Sequence, residues 1–146
     1  MRFPGNRDSK MKNPKEIVDT MMAKDYFSQW LGVNILQTGN GICKLSMKVT
    51  KDMLNGFGIA HGGITYSLAD SALAFASNSH GKKAVSVETS ISHTVSLVEG
   101  DEIIAEAKEE SCSNKIGIYS IRVTKASDHS TVALFKGTVY RTSKDW

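Results

Sequence analysis

Asp70 is flanked by Leu68, Ala69, Ala72, Leu73 and Ala74, a setting that reads as the interior of an apolar helix. An ionised carboxylate left unpaired in such surroundings carries a desolvation cost of several kcal/mol. Asp70 therefore has dedicated partners, does chemistry, or lies on a solvent stripe that the local pattern conceals. Upstream, glycines at 56, 58, 62 and 63 let the backbone come close to a bound molecule. If the helix begins near Gly62, its unpaired N–H groups point into that loop and favour a developing negative charge. The arrangement reads as an oxyanion hole. Asn55, just ahead of the glycines, reads on spacing alone as a turn residue. His61, beside Gly62 and Gly63, could serve as a general base or ligand. Taken alone it reads as structural, capping the helix or holding the loop through its ring nitrogens.

Competing chemistries leave weaker traces. The glycine spacing is neither GxGxxG after a strand nor GxxxxGK[ST], and no lysine follows it, so a nucleotide P-loop is not expected. His61, His93 and Asp70 have no short-range ligand spacing, and no metal is expected from them. The serines include no GxSxG nucleophile elbow. Cys43 and Cys112 form no CxxC pair, which argues against a disulfide framework and for a reducing, cytoplasmic setting.

The elements that must position these groups can be read in order. Asn13-Pro14 offers a capping side chain followed by the residue favoured at the first helical position. One amphipathic helix is predicted over residues 14–30, with Ile17, Met21, Met22 and Tyr26 on its apolar stripe. Residues 32–37 and 42–50 flank Thr38-Gly39-Asn40-Gly41, whose Asn-Gly step predicts a hairpin. In its second arm Cys43, Leu45, Met47 and Val49 alternate with Ile42, Lys44, Ser46 and Lys48, a half-buried strand in which Cys43 is a core residue. After the central helix, Gly81-Lys82-Lys83 supplies a terminating glycine and two cations for its last turn. Four strands are predicted over 84–95, 101–111, 115–126 and 131–141, joined by connections short enough to favour antiparallel neighbours. A curved antiparallel sheet wrapped around one apolar helix, an α+β architecture, satisfies every segment.

The whole chain sets matching bounds. Its 146 residues fit one domain, expected over 13–146, with residues 1–12 expected to be a poorly ordered extension. A formal charge of +3, with scattered lysines and no basic-aromatic cluster, argues against a nucleic-acid partner. No secretion signal is recognised, and no run of about 18 apolar residues occurs to span a membrane.

The combination Asn55-Gly56, Ala60-His61-Gly62-Gly63, Leu68-Ala69-Asp70 and Ser77-Asn78-Ser79 resembles the signature of hotdog-fold thioesterases, most closely the phenylacetate-pathway, or PaaI, branch. The resemblance extends through the strand order over about residues 14–142. It implies hydrolysis of an acyl-CoA, with aryl-acetyl groups as substrate, without metal or redox cofactor. In that setting the Gly62 N–H would polarise the thioester carbonyl, with Gly63 beside it. Asp70 of a neighbouring subunit would act as nucleophile or general base, Asn55 would orient substrate or water, and His61 would shape the loop. Ser86, in the AVSVE segment, would approach the reacting group. The resemblance also implies a homo-oligomer, a dimer at least and often a tetramer. Lysines and Arg122 are candidates to meet the CoA phosphates.

Two other readings share the fold. An acyl-CoA sensor would use the same groove without turnover, although binding alone has no need of Asp70. A hotdog dehydratase would pair a catalytic histidine with an acid on the helix, and residues 63–80 place no histidine near Asp70 at helical spacing.

Overall fold

The first turn of the chain's first helix is closed by Asn13, whose side chain accepts from the Glu16 N–H at 2.9 Å. This computed structural model describes residues 11–146, so residues 1–10 of the expected extension lie outside it. The single helix expected over 14–30 is two: α1 (Pro14–Met22) and α2 (Tyr26–Leu31). The break has a local cause. Asp25 caps the second helix by accepting from the Ser28 N–H (2.9 Å) and Ser28 Oγ (2.6 Å). Ser28 Oγ in turn meets Ser71 Oγ at 2.8 Å inside the protein. Capping turns the chain by enough to bury Ser28 and leave Tyr26 75% exposed, so Tyr26 leaves the apolar stripe that buries Ile17 and Val18. Gly32, at φ 74°, ends α2 in the left-handed conformation that glycine adopts without strain.

The hairpin forms as its Asn-Gly step predicts, β1 (Asn34–Gly39) against β2 (Ile42–Lys48). Cys43, Leu45, Met47 and Val49 are all buried, as the alternation required. The long helix α3 (Gly62–Asn78) follows, then β3 (Lys82–His93), β4 (Glu102–Cys112), β5 (Ile116–Lys125) and β6 (Thr131–Asp145). All pairings are antiparallel, and the sheet order is β1-β2-β4-β5-β6-β3. Hence β3 returns to the far edge, where among the described residues it pairs only with β6.

Lys82 and Lys83 do not sit in the last turn of α3; they open β3. Buried Asn78 supplies the termination instead. Its amide donates to the carbonyls of Ala74 and Ala84, and its oxygen accepts from the Ala84 N–H and Trp146 Nε1. Gly81, at φ 99°, then makes the turn into the strand.

The sheet curves around α3, and the core lies between them. Leu68, Ala69, Ala72, Leu73, Phe75 and Ala76 of the helix pack against Leu45, Met47, Ile103, Tyr119, Ile121 and Val123. Small residues on the helix allow a close approach, and the Leu73 side chain lies over Gly137 of β6. An added Cβ there would overlap Leu73 Cδ2 inside van der Waals contact, and Leu73 is too enclosed to yield. Gly137→Ala should therefore destabilise the fold by about 1–3 kcal/mol, the usual range for overpacking. Urea unfolding monitored by circular dichroism will read this as a lowered midpoint at unchanged slope.

Candidate active site

The glycine loop is tied at its base before the helix begins. Leu54 and Ala60 form an antiparallel bridge, the Asn55 N–H donates to Ile59 O (2.8 Å), and the Gly58 N–H donates to Asn55 O (3.0 Å). The Asn55 side-chain oxygen accepts from the Phe57 N–H at 2.9 Å, an Asx turn that uses this residue as spacing alone suggested. The Ala60 and His61 N–H groups donate to Leu97 O and Met53 O, both at 2.8 Å. The loop is thus sewn to the β3–β4 connection on one side and to the turn before it on the other.

His61 then caps α3. The Gly63 N–H donates to His61 Nδ1 at 2.9 Å, the structural use that the sequence favoured for this imidazole. The capping decides which amide faces outward. Gly63 spends its N–H on His61, while the Gly62 N–H makes no hydrogen bond among the described residues. Gly62 borders a cleft of about 300 Å³ shared with Asn55, Thr65, His93, Thr94 and Ser96. His93 is the addition that sequence reasoning undervalued. The sequence suggests His93 only as a metal ligand, yet Nε2 lies 3.2 Å from where a Cβ on Gly62 would stand. No local spacing could reveal that proximity, because β3 must first run its full length along β6 to deliver His93 there.

Asp70 lies elsewhere. With Ala74 and Ser77 it forms one stripe of α3, opposite Val85 and Ser86 of β3, around a second cleft of about 270 Å³. The carboxyl is half-buried, and burial pushes its pKa above the ordinary carboxylate value. The negative charge of Asp25, at the start of α2, adds to the rise. Burial likewise pushes the Cys43 thiol up to about 12, which keeps it protonated and agrees with its reading as a core residue.

One subunit therefore joins Asn55 to Gly62 and Asp70 to Ser86, but not the two pairs to each other. Asp70 lies eight positions beyond Gly62 on the helix, about 12 Å along the axis. With Asp70 in the other cleft, the His61, His93 and Asp70 set considered for a metal is not assembled within a subunit. Arg122 lies exposed on β5, where Nη1 donates to Thr131 Oγ1 at 2.8 Å.

Known proteins share both sequence and architecture with this chain. The thioesterase superfamily pattern matches residues 57–132, from the glycine loop into β6. The chain belongs to the thioesterase superfamily. A putative esterase of Archaeoglobus fulgidus is 42% identical over 132 residues, covering 90% of this chain and 85% of the relative. The acyl-coenzyme A thioesterase PaaI of Escherichia coli is 36% identical over 121 residues, covering 83% and 86%. The solved structure of the E. coli PaaI protein superposes with a TM-score of 0.88 at 32% identity, covering 90% of this chain and 95% of that one. The chain is a hotdog-fold thioester hydrolase of the PaaI branch.

Burial raises the Asp70 pKa in this thioesterase, so its ionisation opposes folding. A carboxyl whose pKa is higher folded than unfolded destabilises the fold when ionised. That cost is absent below the unfolded value and complete above the folded one. Asp70→Asn should consequently melt no lower than the parent at neutral pH, with any advantage fading as the pH falls through the ordinary carboxylate range. Thermal melts across a pH series check this; a clear loss of stability in the variant at pH 7 would contradict it.

Proposed function

We propose that this enzyme hydrolyses aryl-acetyl-CoA thioesters, such as phenylacetyl-CoA or hydroxyphenylacetyl-CoA, to the free acid and CoA. The acyl-CoA class is supported by the 36% identity to the acyl-coenzyme A thioesterase PaaI of E. coli. The aryl-acetyl preference is supported by that relative's origin in a phenylacetic acid degradation operon.

The observation that carries the mechanism is the separation of Gly62 from Asp70. Reacting atoms must approach to about 3–3.5 Å, and about 12 Å of helix cannot be closed within one subunit. The site is therefore built between two subunits. The Gly62 N–H and the α3 N-terminus polarise the thioester carbonyl and hold the charge that develops on its oxygen. Asp70 of the partner subunit, its carboxylate destabilised by burial, activates water or attacks as nucleophile. Asn55 keeps its side-chain nitrogen for substrate or water while its oxygen holds the loop. Ser86 stands beside Asp70, and His61 and Gly63 fix the amide geometry.

The outer edge of β3 supports a dimer. Among the described residues no strand lies beyond it, and its Val85 and Val87 are 57% and 60% exposed. Unpaired edges with apolar side chains invite pairing with a second strand. Two β3 edges joined across a two-fold axis would extend the sheet through both subunits. Dimers of dimers, giving a tetramer, are the expected further assembly.

Asp70→Ala should lower turnover at least about a hundredfold, as loss of a general base or nucleophile does, with the fold retained. A panel of acyl-CoA substrates followed by thiol release will measure this and rank the acyl groups. Full activity in the variant overturns the assignment, and tight binding of intact thioester without thiol release favours the sensor instead. In a second test, Val87→Arg should shift the protein toward monomer in light scattering and cut activity in proportion. An active monomer would remove the shared site.

A further inference from the structure

The far end of α3 carries a cluster that the hydrolytic site does not use. His80, two residues beyond the helix, sets Nε2 2.8 Å from Glu109 Oε2 on β4. Cys112, near the end of β4, completes a group in which one nitrogen, one oxygen and one sulfur all lie within 4.8 Å of one another. We propose that His80, Glu109 and Cys112 bind one borderline-soft divalent cation of the zinc class, pinning the C-terminal end of α3 to the sheet.

The backbone supports this independently of the distances. Residues three apart on a regular strand point to opposite faces, so Glu109 and Cys112 should not meet. The β4–β5 register shifts between Glu109 and Ser111, which leaves Glu109 opposite Tyr119 and Cys112 opposite Gly117. Tyr119 and Gly117 share a face, so the bulge turns the thiol to the side that carries the carboxylate. An ion pair between His80 and Glu109 would need no such turn.

Two polar atoms nearby await a partner. The Tyr119 side chain is fully buried, yet its hydroxyl finds no hydrogen bond among the described residues, and the same is true of the buried Arg141 Nε. Tyr119 sits across the strand pair from Glu109 and within electrostatic reach of both Glu109 and Cys112. Buried polar groups are rarely left unpaired, because each costs about 1–3 kcal/mol.

The chemistry of the donors selects the ion. Imidazole, carboxylate and thiolate suit zinc, with Zn–N near 2.0 Å and Zn–S near 2.3 Å. Tetrahedral geometry needs the His80 and Glu109 atoms, now 2.8 Å apart, to part slightly around the ion as the thiol joins them. Binding replaces the Cys112 thiol proton by the metal and releases that proton to solvent, with no change in oxidation state. Arg141, held by its Nη1 donating to Ser113 O at 2.6 Å, remains a neighbouring positive charge that limits the affinity.

The full-length protein, stripped of metal with a chelator, should be titrated with Co²⁺ and followed by absorption, then competed with Zn²⁺. One equivalent of Co²⁺ should produce a thiolate-to-cobalt charge-transfer band that Zn²⁺ abolishes. Cys112→Ser should lose the band, and both Cys112→Ser and His80→Gln should weaken Zn²⁺ binding at least tenfold while their circular dichroism is unchanged. Zn²⁺ should raise the melting temperature of the parent and not of Cys112→Ser. Cys43 is enclosed in the core, and an ion held by His61 and His93 would show no thiolate band. Absence of the band at one equivalent, or its survival in Cys112→Ser, would overturn the proposal.

Discussion

Burial of α3 is the constraint on which the rest of the structure depends. The helix satisfies its own backbone hydrogen bonds along its length, so a sheet can close over it, and its alanines let the sheet come near. Each of Leu68, Leu73 and Phe75 contributes about 1.5–3 kcal/mol by leaving water. The same closeness makes Gly137 necessary on β6 and places Leu73 over it. What burial cannot satisfy is the helix's two ends, where amides and carbonyls lack partners. Polar residues gather there. His61 occupies the first end, and Ser79, whose Oγ donates to Ala76 O, and Asn78 occupy the second.

Catalytic potential follows from how incompletely the first end is capped. His61 takes the Gly63 amide and leaves that of Gly62 facing a cleft. A longer or better-placed cap would have stabilised the helix and removed the donor. Asp70 is a comparable compromise, held on the one stripe of α3 that β3 does not fully cover, at a pKa raised first by burial and then by Asp25. Neither feature improves the fold. Both become useful when a second subunit brings one pair to the other, as the proposed dimer does.

Much of this was legible along the chain, where local rules act strongly. The Asn-Gly hairpin, the start of α3 at Gly62, and the alternation through Cys43 to Val49 all appear where the residues indicate. The N-terminal helix was misread because Asp25 competes locally as a cap, and its hold on Ser28 is reinforced by Ser71, which is remote in sequence. Lys82 and Lys83 were misread for a similar reason. They have the composition of a helix C-terminus, but Asn78 and Gly81 end the helix first and free them to begin β3.

The sequence by itself determined a curved sheet around one apolar helix and singled out the glycine loop and Asp70, because glycines and a lone acid act within a few positions of themselves. The hotdog thioesterase reading and a role for Asn55 entered through resemblance to a family. Residue patterns alone could not determine which strand residues join the glycine loop and which join Asp70. That depended on β3 crossing to the far edge of the sheet, which brings His93 to Gly62 and Ser86 to Asp70. Nor could they reveal the meeting of His80, Glu109 and Cys112, which requires the end of a helix, a strand and a one-residue bulge to coincide. Such contacts are set by sheet order and register, and these are settled only when the apolar faces of all the strands close on α3 together.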